Sequence, residues 1–92
     1  MVEKRAEVTI SGHVQGVYFR ANTRDRAKRF GLKGWVKNLA NGNVKAVLEG
    51  DENDIESLIN WFHKGPPMAR VDDVKVDWKD PSREFERFKI RH

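Results

Sequence analysis

Along the chain, apolar positions recur every second residue, then every third or fourth, and the switches between the two periods mark out the elements. Ala6, Val8 and Ile10 alternate with Glu7, Thr9 and Ser11 as in a half-buried strand, and Gly12 ends the run. After the loop His13-Val14-Gln15-Gly16-Val17-Tyr18, the stripe Phe19, Thr23, Ala27, Phe30 has helical spacing, with Gly31 placed to cap the helix C-terminally. Leu32 to Leu39 and Asn43 to Glu49 flank Ala40-Asn41-Gly42, and Asn-Gly between two strand-like runs predicts a β-hairpin. Val44, Ala46 and Leu48 take the buried face of its second arm. Gly50 breaks that strand. Asp51 or Asn53, with Asp54 or Glu56 three residues on, predicts a side-chain cap for a second helix, whose stripe is Ile55, Leu58, Ile59 and Phe62. Gly65-Pro66-Pro67 stops it, because neither proline can donate to the helical ladder. Val74, Val76 and Trp78 alternate with Lys75, Asp77 and Lys79 as a fourth strand, and Phe88-Lys89-Ile90-Arg91 adds a short fifth. The order predicts an α+β, ferredoxin-like βαββαβ sandwich, an antiparallel sheet of four strands plus the short C-terminal one, with two helices on one face.

Length then bounds the organisation. A chain of 92 residues supports one core, so residues 1–92 are expected to form a single domain without linker or repeat. Zero Cys excludes disulfides, thiolate metal sites and a Cys nucleophile, and three scattered His (His13, His63, His92) give no metal ligand set. No cofactor or metal is expected. The absence of a long apolar run argues against a signal peptide or membrane span and points to the cytoplasm. A 35% share of charged residues, with few Met and no Cys, suggests a thermophile.

The charge balance hides an asymmetry. Residues 1–46 carry ten basic and three acidic side chains, a net +7, whereas residues 47–92 are net −3. The first half is therefore the one that meets an anion, and it also holds the segment best suited to bind one. Between Ile10 and Arg20 a strand runs through a loop with Gly12 and Gly16 directly into a helix. Successive backbone N–H groups in such a loop form an anion-binding nest, reinforced by the helix N-terminus. Arg20 supplies a planar fork of donors that can grip phosphate oxygens. The segment has neither the Gly-Lys-Ser/Thr of a Walker motif nor the spacing of a dinucleotide fingerprint. On motif grounds alone, a tight turn with a solvated arginine is the favoured reading.

Ile10-Ser11-Gly12-His13-Val14-Gln15-Gly16-Val17-Tyr18-Phe19-Arg20 resembles the signature of the acylphosphatase family. Gly34-Trp35-Val36-Lys37-Asn38, followed by Asn41-Gly42, Val44 and Gly50, is similar to that family's second signature. Gly65-Pro66-Pro67, Val71, Val74, Val76, Trp78 and the run Phe88 to Arg91 match its later pattern, so the resemblance covers nearly the whole chain. It implies hydrolysis of an acyl phosphate to a carboxylate and inorganic phosphate. The phosphoryl group would be held by Arg20 and the backbone amides of Val14, Gln15, Gly16, Val17, Tyr18 and Phe19, and the attacking water oriented by Asn38. Asn41-Gly42 stands where many relatives have Asp-Gly, which a hairpin tolerates equally well.

The residue types present suit that reaction. A carboxylate leaving group, whose acid has a pKa of about 4, departs without protonation, so no general acid is required. Phosphoryl transfer is mostly positioning and charge stabilisation, which an arginine and a ring of amides can supply. The Asn38 amide offers an acceptor and donors, enough to hold a water in line. Without the resemblance, an Asn near a strand end is read as bonding its own backbone to close a turn. His13 is read as a partly solvated loop residue. Arg24, Arg26, Lys28 and Arg29 are read as a solvated helix face that raises the local positive potential and steers anions. Trp35, Trp61 and Trp78 are expected in core or sheet-face packing.

Two rivals share these features. RNA-binding domains of the RRM type have the same βαββαβ order, but Asn43 to Gly50 holds no aromatic residue, so bases lack a stacking platform on the third strand. A phosphate-sensing domain that binds without turnover is the other. The partners expected are a small-molecule acyl phosphate and its phosphate product, with no nucleic acid, no membrane and a monomeric chain.

Overall fold

In the computed structural model, which describes residues 2–92, the alternation along the chain becomes two unlike faces of one sheet. The elements are β1 (Glu3–His13), α1 (Phe19–Arg29), β2 (Lys33–Asn38), β3 (Val44–Asp51), α2 (Glu52–Lys64), β4 (Arg70–Lys79) and β5 (Phe88–Arg91), in the spatial order β4-β1-β3-β2-β5. Ala6 pairs with Leu48 and Trp78, Val8 with Ala46 and Val76, and Ile10 with Val44 and Val74. These rows, with Val36 and Phe88, form the face on which the helices pack. Ala6, Val8, Ile10, Val36, Val44, Ala46, Leu48, Ile55, Leu58 and Phe62 are all fully buried there. Phe19 ties the two helices together, its ring 5.4 Å from that of Trp61 and 5.8 Å from that of Phe62.

The sheet is mixed, because β5 pairs parallel to β2, with Trp35 opposite Lys89 and Lys37 opposite Arg91. Its direction follows from the topology. β4 ends at Lys79 beside Arg5, Arg5 pairs with Glu49, and Glu49 with Lys33 at the start of β2. The connection over residues 80–87 therefore crosses the sheet at the end where β2 begins, and β5 leaves from there in the same direction.

Three sequence expectations change. The side-chain cap predicted for α2 is not formed. Asp51 occupies the N-cap without a side-chain hydrogen bond, and the first helical N–H, that of Glu52, donates to the Val2 carbonyl at 2.8 Å. β3 runs into α2 without a loop, so Val2, the residue just before β1, supplies the acceptor that a cap would otherwise provide. Second, Trp78 is 41% exposed, because β4 is an edge strand and leaves one flank of each side chain uncovered. Trp35 sits on the helix-free face with Lys37 and Arg91 over its ring, and Trp61 packs against the core beneath Arg26. Third, His13 is the exposed last residue of β1, paired with Arg70, rather than part of the loop.

Candidate active site

Residues 14–18 connect β1 to α1, and burial at two points sets their path. Val14 and Val17 point into the core at 1% and 5% exposure, pinning a loop that carries no secondary structure of its own. Gly16 (φ 74°) and Tyr18 (φ 65°) adopt left-handed backbone conformations, free for glycine and strained for tyrosine. A chain that turns this way presents successive N–H groups toward a common point. Among the described residues, none of the backbone N–H groups from Gln15 to Phe19 donates to another backbone group or to a side chain. The Tyr18 carbonyl, by contrast, is held twice, by the Asn22 backbone N–H at 3.1 Å and by Asn22 Nδ2 at 2.9 Å. The loop thus keeps its carbonyl engaged and its donors free, the arrangement an anion requires.

Gln15 fastens this loop to the β2–β3 hairpin. Its Nε2 donates to the Leu39 carbonyl at 2.8 Å and to the Asn43 carbonyl at 2.9 Å, gripping both sides of the turn that follows Asn38. Asn38 is the last residue of β2, opposite Val44, and is half-buried. Its side chain makes no hydrogen bond among the described residues. The turn is closed by Asn41, whose Oδ1 accepts the Asn43 N–H at 3.1 Å, and by the Leu39 N–H to the Asn43 carbonyl at 2.8 Å. The turn-closing reading of Asn38 is thereby overturned: that work belongs to Asn41, and the Asn38 amide is free.

Arg20 lies in the first turn of α1, half-buried, with Nη1 3.3 Å from Nδ1 of His92. His92 follows Arg91, which pairs with Lys37, so β5 brings His92 alongside the strand end that carries Asn38. The free amides and the guanidinium of Arg20, contiguous in the chain, come to the same end of the sheet as the amide of Asn38 from the distant β2–β3 hairpin. Beside Arg20 opens a cleft of about 480 Å³ lined by Gly16, Tyr18, Phe19, Arg20, Ala21, Arg24, Ile90 and His92. His92 and the tie made by Gln15 were not legible as parts of the site. The alternation Phe88, Ile90, His92 does put His92 on the helix-facing side, but only the parallel pairing of β5 brings it to Arg20. Among the described residues no cluster of His, Asp and Glu is arranged to hold a metal ion.

These features define a class: an α+β sandwich of ferredoxin-like topology whose first strand-to-helix loop is shaped for a small anion. Comparison with known proteins narrows it. The family model for acylphosphatase matches residues 6–90. An acylphosphatase of Pelotomaculum thermopropionicum is 49% identical over 90 residues, covering 98% of both chains. The crystal structure of acylphosphatase from Bacillus subtilis superposes with a TM-score of 0.93 at 32% identity, covering 97% of this chain and 99% of that one. An acylphosphatase structure from Coxiella burnetii gives 0.90 at 39% identity over 97% and 93%. The chain belongs to the acylphosphatase family.

Proposed function

We propose that the site hydrolyses acyl phosphates, with the loop and Arg20 as the phosphoryl clamp and Asn38 as the water-positioning residue. The phosphoryl oxygens sit on the N–H groups of residues 14–19 and on the guanidinium of Arg20. The Asn38 amide orients a water whose oxygen attacks phosphorus. As that P–O bond forms, the P–O bond to the acyl oxygen breaks, and its electron pair leaves on the carboxylate. The water gives up its proton to the phosphate or to solvent. Negative charge develops on the equatorial oxygens and the leaving oxygen, where amides and a guanidinium stabilise it without reorganising. No part of this cycle asks for a general acid, because a carboxylate is a stable leaving group at neutral pH.

The observation that carries this reading is the row of free N–H groups from Gln15 to Phe19 beside Arg20. Release of inorganic phosphate from acetyl phosphate by the purified chain tests it. Turnover is expected, unaltered by a chelator of divalent ions. Absence of phosphate release with intact fold would favour a domain that binds phosphate without turnover. We also read residues 1–92 as one domain that acts as a monomer in the cytoplasm, needs no nucleic acid, and is thermostable. The charged-residue content supports the last of these, and none of the helices among the described residues is long and apolar enough to cross a membrane.

A further inference from the structure

The cleft beside Arg20 takes in Gly16 and Tyr18 of the phosphate-binding loop and Arg24 and Ile90 beyond it, and Asn38 is not among the residues that line it. In-line displacement places the attacking water and the leaving group on opposite sides of phosphorus. With the water at Asn38, the acyl group must depart on another side, and the cleft along α1, which Asn38 does not line, is open to receive it. Its walls suit an organic chain. Tyr18 is 78% exposed, held outward by a left-handed backbone conformation that tyrosine adopts only under strain, and Ala21 and Ile90 add apolar surface. Strain retained at an exposed aromatic residue next to a reactive centre is what a substrate wall would demand.

The charged side chains lining the cleft are Arg20 and Arg24, with the imidazole of His92 beside them. Arg20 and Arg24 stand one helical turn apart on the same face of α1, about 6 Å along the axis, a like-charged pair that repels across the turn. Arg24 reaches only its neighbour Asp25, Nε to Oδ1 at 3.2 Å, and His92 sits against Arg20. Among the described residues no carboxylate bridges the two guanidinium groups. A substrate with its phosphoryl group on Arg20 and a second anion about four chain atoms away would reach Arg24 and relieve their repulsion. We propose that this cleft is the acyl subsite, and that Arg24 selects acyl phosphates whose acyl chain ends in a carboxylate or another anion. The proposal rests on the phosphoryl clamp described above and adds to it a substrate class.

Two measurements separate the subsite from the activity. In turnover, kcat/KM for succinyl phosphate is expected to exceed that for its uncharged analogue butyryl phosphate by about fivefold at low salt, the scale of one partly exposed ion pair. Arg24→Gln should bring that ratio close to one. Arg29→Gln, which removes the same charge from the same helix outside the cleft, should leave the ratio unchanged. In binding, calorimetry with ω-carboxybutylphosphonate and pentylphosphonate asks the same question without chemistry, and again only Arg24→Gln should abolish the preference. Tyr18→Ala should weaken both phosphonates alike. A chain that turns over no acyl phosphate, yet binds the carboxylated phosphonate more tightly through Arg24, would refute the activity and keep the subsite. Equal affinity for the two phosphonates in the wild type, or loss of the preference in Arg29→Gln as much as in Arg24→Gln, would overturn the subsite.

Discussion

In the proposed mechanism Asn38 and Arg20 divide the work between water and anion, so their removal should have separable effects. Asn38→Ala leaves the clamp intact, and we expect kcat to fall about a hundredfold while phosphate still raises the melting temperature. Arg20→Ala removes the charge that the loop amides cannot replace. A ligand that binds only the folded state adds RT ln(1 + [L]/Kd), about 2.7 kcal/mol at a hundredfold excess, and most of that gain should vanish in Arg20→Ala. Melting curves in phosphate and in chloride at matched ionic strength read both outcomes. At the core side of the same helix, Thr23 is fully buried and its Oγ1 has no hydrogen-bond partner. A buried hydroxyl without a partner is a desolvation penalty that an isosteric methyl group does not carry. Thr23→Val should therefore stabilise the fold, by about 1 kcal/mol in chemical denaturation.

Between the elements, the connection over residues 80–87 is fastened to the sheet by a buried carboxylate, with Glu3 holding Arg83 from outside at 2.8 Å. Glu49 is 5% exposed on β3. Its Oε2 accepts from Arg5 Nη1 at 2.8 Å, from the Ser82 N–H at 3.0 Å and from Ser82 Oγ at 2.8 Å, while its Oε1 accepts the Arg83 N–H at 3.0 Å. Burial by itself would raise the Glu49 pKa, but the hydrogen bonds from Ser82, Arg5 and Arg83 outweigh it and hold the group below its ordinary range. Glu7, bonded to Arg5 at 3.0 Å, is lowered in the same way against its own desolvation. A carboxylate lowered in the folded state binds fewer protons there than in the unfolded chain. The stability it contributes is complete above the unfolded pKa of about 4.3 and is lost as pH falls through that value toward the folded one. The acid limb of the stability curve should accordingly begin below about pH 5. Glu49→Gln keeps one carbonyl acceptor for four donors, so we expect it to cost about 1 to 3 kcal/mol at neutral pH and to flatten that limb. Denaturation midpoints from pH 3 to pH 7 for both proteins provide the check. Because β5 is ordered by this connection, and His92 by β5, the same variant should also perturb Arg20.

For the whole molecule, the relevant quantity is the field around the site. The net +7 of residues 1–46 includes Arg20, Arg24, Arg26, Lys28 and Arg29 on α1, and this positive potential draws an anionic substrate toward the loop. At an ionic strength of about 0.15 M the Debye length is about 8 Å, so steering from beyond the first contact is screened as salt rises. We expect kcat/KM for acetyl phosphate to fall with added sodium chloride while kcat stays nearly constant. Stopped or continuous assays over a range of salt distinguish this from inhibition at the site, which would raise KM in phosphate far more than in chloride of equal ionic strength.

Local order in the chain was enough to specify the elements and the loop. The period-two run Ala6, Val8, Ile10, the helical stripes, the Asn41-Gly42 turn and the Gly12/Gly16 loop before Arg20 are short-range features, and each requires only neighbours a few residues away. They carried the αβ order and, through the matched signatures, Arg20 and Asn38. Long-range pairing decided the rest. The parallel direction of β5 depends on where residues 80–87 cross the sheet, and that crossing depends on Glu49, more than thirty residues upstream of Ser82. The need for glycine at position 34 arises from the third dimension as well, because a Cβ there, at φ 133°, would collide with the Val47 carbonyl oxygen of the adjacent strand. Asn38 is free because Asn41 closes the turn, and His92 meets Arg20 because β5 lies beside β2. Period and turn chemistry act along the chain and can be read from it. Which free amide faces which guanidinium is set by contacts between segments that the order of residues does not encode locally.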